Sequence, residues 1–376
     1  MEGVEDIVIA GAGLAGLATA LGLHRKGVRS VVLESSATLR ASGYAFTTWT
    51  NAFRALDALG VGDKIREHHL LYESGPHEIR CVKRNFLLET LESELPEGTI
   101  RYSSKIAAID EEGDVKLLHM ADGSIIKAKV LIGCDGVNSV VAKWLGLPKP
   151  IQSGRSATRG MAEYPDGHGF GPEMLQFIGQ GFRSGVLPCS DTSVYWNYTW
   201  YPSPDDKDAE ESVAKMRQHV LTKLRAAKIP LEALDVIERS EMSEVVSSPL
   251  RFRSPLSLVR GSISRGNVCV AGDAFHPMTP ELGQGGCAAL EDGVVLARCL
   301  GDAFAHGYAC ESVKAGLEKY ADERRGRAIR LVTAAYVVGF VQQSNNTVVK
   351  FLREKFLSGL LAKLMVDMAD FDCGEL

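Results

Sequence analysis

A glycine-rich turn near the first residue has the spacing that binds a dinucleotide phosphate. Gly11, Gly13 and Gly16 follow the apolar run at 7–9 and open a helical stretch that ends at Gly27. Glycine permits the tight turn there, lets the backbone approach a pyrophosphate, and lets the helix pack closely on the strand. The free N–H groups of the helix attract phosphate charge. The candidate phosphate-binding residues are Gly11, Gly13, Leu14, Ala15 and Gly16.

An acidic residue stands at the end of the next apolar run, where a second strand is expected. Glu34 follows the segment 30–33. A carboxylate at this point accepts hydrogen bonds from the two hydroxyls of an adenosine ribose, and it disfavours a 2′-phosphate. The pair of features therefore predicts bound FAD or NAD rather than NADP.

A loop rich in proline and glycine at 272–286 decides between these two cofactors. It follows the strand 267–271 through Gly272-Asp273 and contains Pro277 and Pro280. A helix begins after its last glycines, Gly283, Gly285 and Gly286. Proline stiffens such a loop, and glycine brings its backbone close to a planar ring. A helix amino terminus directed at a flavin pyrimidine would stabilise the negative charge that reduction places there. The loop therefore indicates a flavin.

A third motif completes the set and carries a family resemblance. Asp135-Gly136 follows the buried-looking strand 130–133. The three motifs resemble those of the single-component (group A) FAD-dependent monooxygenases, the class of para-hydroxybenzoate hydroxylase and salicylate hydroxylase. They also occur in the same order along the chain as in that family. The stretch 282–292 is similar to the plant-type branch related to zeaxanthin epoxidase, and 80–88 also matches the family pattern.

The resemblance implies roles for individual residues. Asp273 would hydrogen-bond the ribityl chain of FAD, Asp135 would lie near the pyrophosphate and the path of the nicotinamide donor, and Arg84 would reach the flavin. Residues 42–50 would line the isoalloxazine ring, with Arg40 in contact with the cofactor. The remaining cofactor-binding candidates are Pro280, Gly283, Gln284, Gly285 and Gly286.

The resemblance also implies a reaction. FAD would be reduced by transiently bound NADH or NADPH, form a C4a-hydroperoxide with O₂, and transfer one oxygen to an aromatic or olefinic small molecule. Hydroxylation, epoxidation and oxidative decarboxylation all stay open. Because the cofactor performs the chemistry, the protein has only to position the substrate and exclude water. The residue patterns accordingly contain no catalytic triad or paired carboxylates.

Three other functions are weighed against this one. A flavin oxidase or dehydrogenase would keep the same FAD motifs and act directly on its substrate, and it is the main alternative. A flavin-dependent halogenase is disfavoured because the Trp-x-Trp-x-Ile-Pro signature is absent, with 196–200 the nearest stretch. A non-enzymatic flavin-binding protein is weaker still, since every cofactor motif is intact.

Candidate substrate contacts lie in and around an aromatic strand at 194–201. Alternate residues of a strand share a face, so Trp196, Tyr198 and Trp200 point one way and Tyr195, Asn197, Thr199 and Tyr201 the other. Which face roofs the cavity stays open at this point, as does the alternative that the aromatics fill a core. The substrate-pocket candidates are Arg183, Trp196, Asn197, Tyr198 and Pro280. For His276 we favour a bond within its own loop over a proton relay.

These elements predict an α/β fold: a Rossmann-like FAD-binding domain with an inserted β-sheet substrate domain and C-terminal helices, as in para-hydroxybenzoate hydroxylase. The FAD-binding domain would be discontinuous, at 1–150 and 262–330. The substrate domain would occupy 151–261, and the C-terminal helices 331–376. Compared with the family, the stretch 68–75 looks short.

Composition limits the remaining possibilities. The chain has 376 residues, a net charge of −5 and no basic block, which disfavours nucleic acid and anionic membranes as partners. Eight cysteines are scattered without metal-ligand spacing, so we expect no metal site and reduced thiols in a cytoplasmic protein, monomeric or homodimeric. No apolar stretch is long enough for a transmembrane segment. The amphipathic stretch 348–357 is expected to pack on its own domain rather than on a membrane.

Overall fold

The computed structural model describes residues 3–39, 44–72, 77–179, 181–203, 206, 212–241, 243, 245–305, 308–343 and 358–376. Within the helix at the start of the last range, only the backbone is described for 358–362 and 365. Arg40, the expected ring-lining residues 42 and 43, part of the 68–75 stretch and the amphipathic stretch 348–357 lie outside these ranges.

The largest sheet is built around the strand that precedes the glycine turn. Its main path runs β14-β15-β8-β1-β2-β5, and β6 and β7 extend from β8. The pairs β1–β2, β1–β8, β8–β15 and β2–β5 are parallel. The strands are β1 (Glu5–Ala10), β2 (Val31–Leu33), β5 (Ile100–Arg101), β6 (Ile106–Glu112), β7 (Val115–Met120), β8 (Ile125–Gly133), β14 (Ser264–Arg265) and β15 (Val268–Val270).

Helices cover this sheet and join it to the rest of the chain. They are α1 (Leu14–Arg25), α2 (Thr50–Ala58), α3 (Gly62–Arg66), α4 (Arg84–Ser93), α5 (Val140–Trp144), α8 (Pro255–Arg260), α9 (Gly285–Phe304), α10 (Cys310–Gln343) and α11 (Ser358–Ala369). α1 and α9 pack closely because small residues face each other. A Cβ at Gly293 would lie 2.5 Å from that of Ala18.

A second, antiparallel sheet has the strand order β10-β11-β12-β9-β13. Its strands are β9 (Ile151–Glu163), β10 (Leu175–Gly179), β11 (Phe182–Ser190), β12 (Ser193–Trp200) and β13 (Val246–Phe252). The helices α6 (Val213–Ala226) and α7 (Leu231–Arg239) pack on one face. Ser212 accepts the Lys215 N–H at 3.2 Å and so caps the start of α6.

A third sheet has two strands and lies between the other two. β3 (Ala45–Trp49) pairs antiparallel with β4 (Ile79–Lys83). Leu70 donates its backbone N–H to the Cys189 carbonyl at 3.0 Å, which ties the segment before β4 to the second sheet. The expected α/β class with an inserted β-sheet is therefore confirmed.

The helical end of the chain differs from the expectation in one respect. The boundary placed between 330 and 331 falls inside α10, a continuous helix from Cys310 to Gln343. The sequence around this point contains neither proline nor a terminating glycine. Among the helices of the described residues, none has the length and apolar character needed to span a membrane.

A buried arginine connects the end of the second sheet to the loop that follows β15. The Arg253 side chain is 1% exposed. It donates to the carbonyls of Phe275 at 2.9 Å, Ala274 at 3.0 Å and Pro148. Burial lowers the pKa of Arg253 to about 10.

Replacing this side chain by one that cannot donate should destabilise the fold. We predict that Arg253→Met lowers the free energy of unfolding by about 2–4 kcal/mol, because buried carbonyls lose their donor. Arg251→Met is the matched control, since Arg251 is only half-buried, its bond to Asn138 lies at the surface, and a change of about 0.5 kcal/mol is expected. Urea unfolding measures both. Equal losses for the two variants would contradict this role of Arg253.

Candidate functional site

The glycine turn between β1 and α1 leaves an open space in front of the helix. Gly11 has a φ of +100°, and a Cβ there would lie 2.5 Å from the Cys134 carbonyl oxygen. A Cβ at Gly16 would lie 1.9 Å from the Gly11 carbonyl oxygen. At Gly13 a Cβ would meet nothing within 4 Å, and no side chain caps α1. Gly11 and Gly16 therefore permit close packing, and Gly13 borders free volume.

Glu34 binds this turn directly. Its Oε2 accepts the Ala12 N–H at 2.9 Å, and its Oε1 accepts the Ser36 N–H at 2.8 Å and the Ser35 hydroxyl at 3.2 Å. The side chain is buried. The carboxylate thus lies at the end of β2 beside the turn, where the sequence places it, and it also holds the turn in shape.

Asp135 acts as a helix cap. Its Oδ1 accepts the Ser139 hydroxyl at 2.5 Å, and its Oδ2 accepts the Val140 N–H at 2.7 Å. Burial raises the pKa of Asp135, and these hydrogen bonds oppose the shift. The carboxylate is therefore engaged with α5, whereas the neighbouring Gly136 borders the cavity described next.

A cavity of about 310 Å³ lies between the two glycine-containing turns and the loop 272–286. We call it the glycine-loop cavity. Most of the sequence-predicted cofactor residues line it: Gly13, Leu14, Ala15, Arg84, Asp273, Pro280, Gly283, Gly285 and Gly286. The Asp273 side chain is exposed on its wall. Desolvation by the surrounding protein raises the pKa of Asp273, while its interactions with His276, Arg84 and Arg159 oppose the rise.

The end of the loop is shaped by two close contacts. Gly283 has a φ of +64°, and a Cβ there would lie 3.1 Å from the Trp49 indole nitrogen. A Cβ at Gly286 would lie 2.6 Å from the Phe46 ring. β3 therefore packs against the start of α9, whose first N–H groups have no side-chain cap. Residues of β3 and the loop face the same space, as the sequence predicts.

Gln284 departs from its prediction. Its side chain is 1% exposed and does not line the glycine-loop cavity. Its Oε1 accepts a hydrogen bond from the Asn51 amide at 2.8 Å. The side chain turns inward because α9 begins at the next residue and carries a buried acidic cluster about two turns further on. Only the backbone of Gln284 remains next to the cavity-lining glycines.

The buried acidic cluster on α9 holds the loop 272–286 in place. Asp292 on α9 accepts the Gly272 N–H at 2.8 Å, lies 2.7 Å from His276 Nε2, and accepts Arg324 Nε at 2.7 Å. Burial alone would raise the pKa of Asp292, but His276 and Arg324 lower it to about 2. His276 is fully buried and bonds to α9 rather than within its loop, so it is placed as a structural group and not as a relay into the cavity.

A second carboxylate extends the cluster toward the end of the chain. Glu291 pairs with Arg324 at 2.7 Å and Arg327 at 2.9 Å, and it accepts the Asn51 amide at 2.5 Å. Burial would raise the pKa of Glu291, yet these partners lower it. The Phe371 ring lies against both guanidinium groups, at 5.2 and 4.6 Å from ring centroid to carbon.

A second cavity, of about 120 Å³, lies under the antiparallel sheet. We call it the sheet cavity. It shares Tyr44, Phe46, Arg159, Pro280 and Gly283 with the glycine-loop cavity, so the two adjoin. Tyr195, Asn197 and Thr199 of β12 line it, together with Arg183.

Trp196 and Tyr198 require a correction. Both lie on the opposite face of β12, in the core formed with α6 and α7, and line neither cavity. Trp196 Nε1 donates to the Ser240 hydroxyl at 2.6 Å. α6 and α7 bury that face of the sheet, so Trp196 and Tyr198 contribute to packing. Tyr195, Asn197 and Thr199, on the other face of β12, border the sheet cavity.

Charged groups line the far wall of the sheet cavity. Arg183 donates to the Glu281 carbonyl at 3.0 Å, and the Glu281 carboxylate forms a buried ion pair with Arg155. Burial lowers the pKa of Arg183, Arg155 lowers it further, and Glu281 opposes both.

Arg159 was missed by the sequence analysis, and Tyr44 was included only as one member of the range 42–50. Tyr44 lies between two guanidinium groups, with Arg84 at 5.5 Å and Arg159 at 5.1 Å from its ring centroid. Arg159 occurs in the middle of β9, where nothing in the local sequence separates it from a surface arginine. Strand pairing, which brings it beside Asn197, is the signal that identifies it.

Comparison with known proteins agrees with this geometry. The family model described as FAD binding domain matches residues 5–100 and 84–335. "Monooxygenase 2" of Arabidopsis thaliana is 46% identical over 408 residues, which cover 100% of this chain and 99% of that protein. "Monooxygenase 1" of the same plant is 38% identical over 399 residues, covering 98% and 99%.

Solved structures support the fold. Klebsiella pneumoniae HpxO complexed with FAD and uric acid superposes with a TM-score of 0.81 at 23% identity, covering 98% of this chain and 97% of that one. A salicylate hydroxylase substrate complex gives a TM-score of 0.70 at 20% identity, with 98% of each chain covered.

The buried cluster should make stability sensitive to acid. The pKa of Asp292 is about 2 in the folded protein, below the value of about 3.9 in an unfolded chain. The stabilisation is therefore complete above about pH 4 and is lost as pH falls toward 2, by about 2–3 kcal/mol. We predict that Asp292→Asn, although less stable at neutral pH, loses that much less on acidification. Urea unfolding at pH 6 to 2 tests this, and parallel pH profiles for the two proteins would refute it.

Proposed function

We propose a reaction on the premise that this chain belongs to the FAD-binding-domain family and is an FAD-dependent monooxygenase. The proposal is that it uses NADH or NADPH and O₂ to insert one oxygen atom into an aromatic or olefinic small molecule. The observation that carries it is the direct junction of the glycine-loop cavity with the sheet cavity. A cofactor held in the first would present its reactive end to a substrate in the second.

The residues around the glycine-loop cavity fit FAD. The open space at Gly13 and the uncapped start of α1 suit a pyrophosphate, for which the backbone of Leu14 and Ala15 is also available. The start of α9 at Gly285 and Gly286 offers further N–H groups at the other end. When bound, FAD supplies the acceptance of hydride and the activation of O₂.

Two carboxylates would bind the cofactor at separate points. Glu34, beside the glycine turn, would accept ribose hydroxyls while it holds the turn through the Ala12 N–H. Asp273, which lines the cavity, would accept from the ribityl chain. Arg84 lines the same cavity and would contact the flavin side of the cofactor.

The sheet cavity would bind the substrate, and we propose 151–261 as the substrate domain. Leu187 and Tyr195 give it an apolar wall that excludes water. The Asn197 amide lies on that wall and would recognise a hydroxyl or carbonyl group. Arg183 would hold a carboxylate, because its guanidinium is surrounded by protein yet donates only to a backbone carbonyl among the described residues.

The setting of this activity is part of the proposal. The cysteines in the described ranges are free and mostly buried, which suits a reducing compartment, and we propose a cytoplasmic monomer or homodimer. The similarity to the two Arabidopsis monooxygenases supports a plant-type enzyme of specialised metabolism.

The reaction is tested by NADH and NADPH oxidation under air with a panel of phenols, aromatic acids and olefins. We predict substrate-stimulated oxidation and a product heavier by one oxygen, with that atom labelled when ¹⁸O₂ is supplied. Reduction of bound FAD by a substrate in the absence of NADH and NADPH would instead identify an oxidase. Hydrogen peroxide as the sole oxygen product with every compound would contradict the monooxygenase reaction for this panel.

Asp273 offers a residue-level test of the cofactor assignment. We predict that Asp273→Ala raises the dissociation constant for FAD roughly tenfold to a hundredfold, because a charged acceptor is lost. The protein should stay folded, since the side chain is exposed on the cavity wall. Fluorescence titration of the apoprotein with FAD measures the change, and Asp110→Ala, which removes an exposed carboxylate of β6 that does not line the cavity, is the control. Unchanged affinity in Asp273→Ala would remove Asp273 from the FAD site.

A further inference from the structure

Arg159 stands at the junction of the two cavities. It lies in the middle of β9, pairs in register with Asn197 on one side and Val246 on the other, and lines both cavities. The side chain is half-buried. Its backbone is therefore fixed by strands on either side, and its side chain borders both cavities.

Within the part of the chain that the structure describes, the Arg159 guanidinium has no hydrogen bond or ion pair. Its contact is with the face of Tyr44, at 5.1 Å from the ring centroid. The Glu281 carboxylate on the same cavity wall is already paired with Arg155. Asp273 on the adjoining cavity interacts with Arg159 electrostatically but forms no ion pair with it, so the guanidinium is available to a bound anion.

A row of polar groups runs straight across the sheet from Arg159. Gln176, Gly185, Asn197 and Arg159 are consecutive partners on four adjacent strands, and all four line the sheet cavity. Gly185 leaves room for its neighbour, since a Cβ there would lie 3.0 Å from the Asn197 amide nitrogen. The row presents amides at one side and a guanidinium at the other to any flat molecule below it.

Arg183 gives this face a second cation. It pairs in register with Thr199, two residues along β12 from Asn197, and lies two strands from Arg159. Neighbouring strands are about 4.8 Å apart, and two residues along a strand span about 6.6 Å, so the two backbone positions are separated by roughly 12 Å. Two guanidinium groups therefore reach into one small cavity, where the carboxylate Glu281 is neutralised by Arg155.

We propose that the sheet cavity selects a planar substrate with two acidic groups, one held by Arg183 and the other by Arg159 next to the cofactor cavity. The inference rests on the proposed function, because it assumes that the sheet cavity is the substrate site. Arg159 is then a specificity-determining residue, and Asn197 lies between the two charged positions to contact the ring or a substituent on it.

Ligand binding without turnover tests this proposal. The probes are benzoate, with one carboxylate, and terephthalate, with two at opposite ends of the ring, each titrated into the FAD-loaded protein and followed by flavin absorbance. We expect terephthalate to bind at least tenfold more tightly than benzoate, as a second charge-assisted hydrogen bond implies. Arg159→Gln should abolish this preference and leave benzoate binding within about twofold of the original protein.

Arg84→Gln is the matched control. Arg84 also lies over the Tyr44 ring but, of the two cavities, lines only the glycine-loop cavity. We expect this variant to weaken FAD binding and to keep the preference for terephthalate. Separate FAD titrations of both variants show whether Arg159 serves the cofactor instead.

The outcomes separate this proposal from the proposed function. Equal affinity for the two probes in the original protein would overturn the proposal, and so would an Arg159→Gln variant that loses FAD but keeps the preference. Neither result involves NADH, NADPH or O₂. A protein that prefers terephthalate but never oxygenates any compound would contradict the proposed function alone, and one that oxygenates monoacids without preference would contradict the dianion proposal alone.

Discussion

The pairing of Asp292 with Arg324 is the interaction on which the site depends. The carboxylate lies on α9, the guanidinium on α10, and the second oxygen of the carboxylate holds Gly272 and His276 at both ends of the first loop turn. An unpaired charge in this position would cost several kcal/mol, so the ion pair stabilises the two helices and the loop in their relative positions. The glycine-loop cavity is the space that this arrangement leaves in front of the loop.

The close packing of α1 on α9 also fixes the position of the glycine turn, because α1 begins directly after that turn. Small residues at Gly293 and Ala18 let the helices touch, so the start of α1 and the start of α9 face one cavity from two sides. Both helix starts lack side-chain caps, and their N–H groups are available to a ligand with acceptors at its two ends. The contact between the two helices therefore sets the distance between the two groups of backbone N–H donors that an extended cofactor would use.

Local motifs could be predicted from the sequence, and contacts between distant strands could not. The glycine turn, Glu34 and the loop at 272–286 depend on backbone conformations that glycine and proline specify within a few residues. The faces of β12 depend instead on which side α6 and α7 cover, and Arg159 acquires its place only through pairing with a strand some forty residues away. The inward turn of Gln284 likewise follows from Asn51, more than two hundred residues distant.

The central claim is that one continuous site holds the cofactor in the glycine-loop cavity and the substrate under the antiparallel sheet. A crystal structure of the FAD complex tests it most directly. The account predicts a pyrophosphate at the turn formed by residues 11–16 and an isoalloxazine ring at the junction of the two cavities, between Tyr44 and Gly283, with the Asn197 and Arg159 row above it. A ring bound away from that junction, or a pyrophosphate away from the turn, would contradict it.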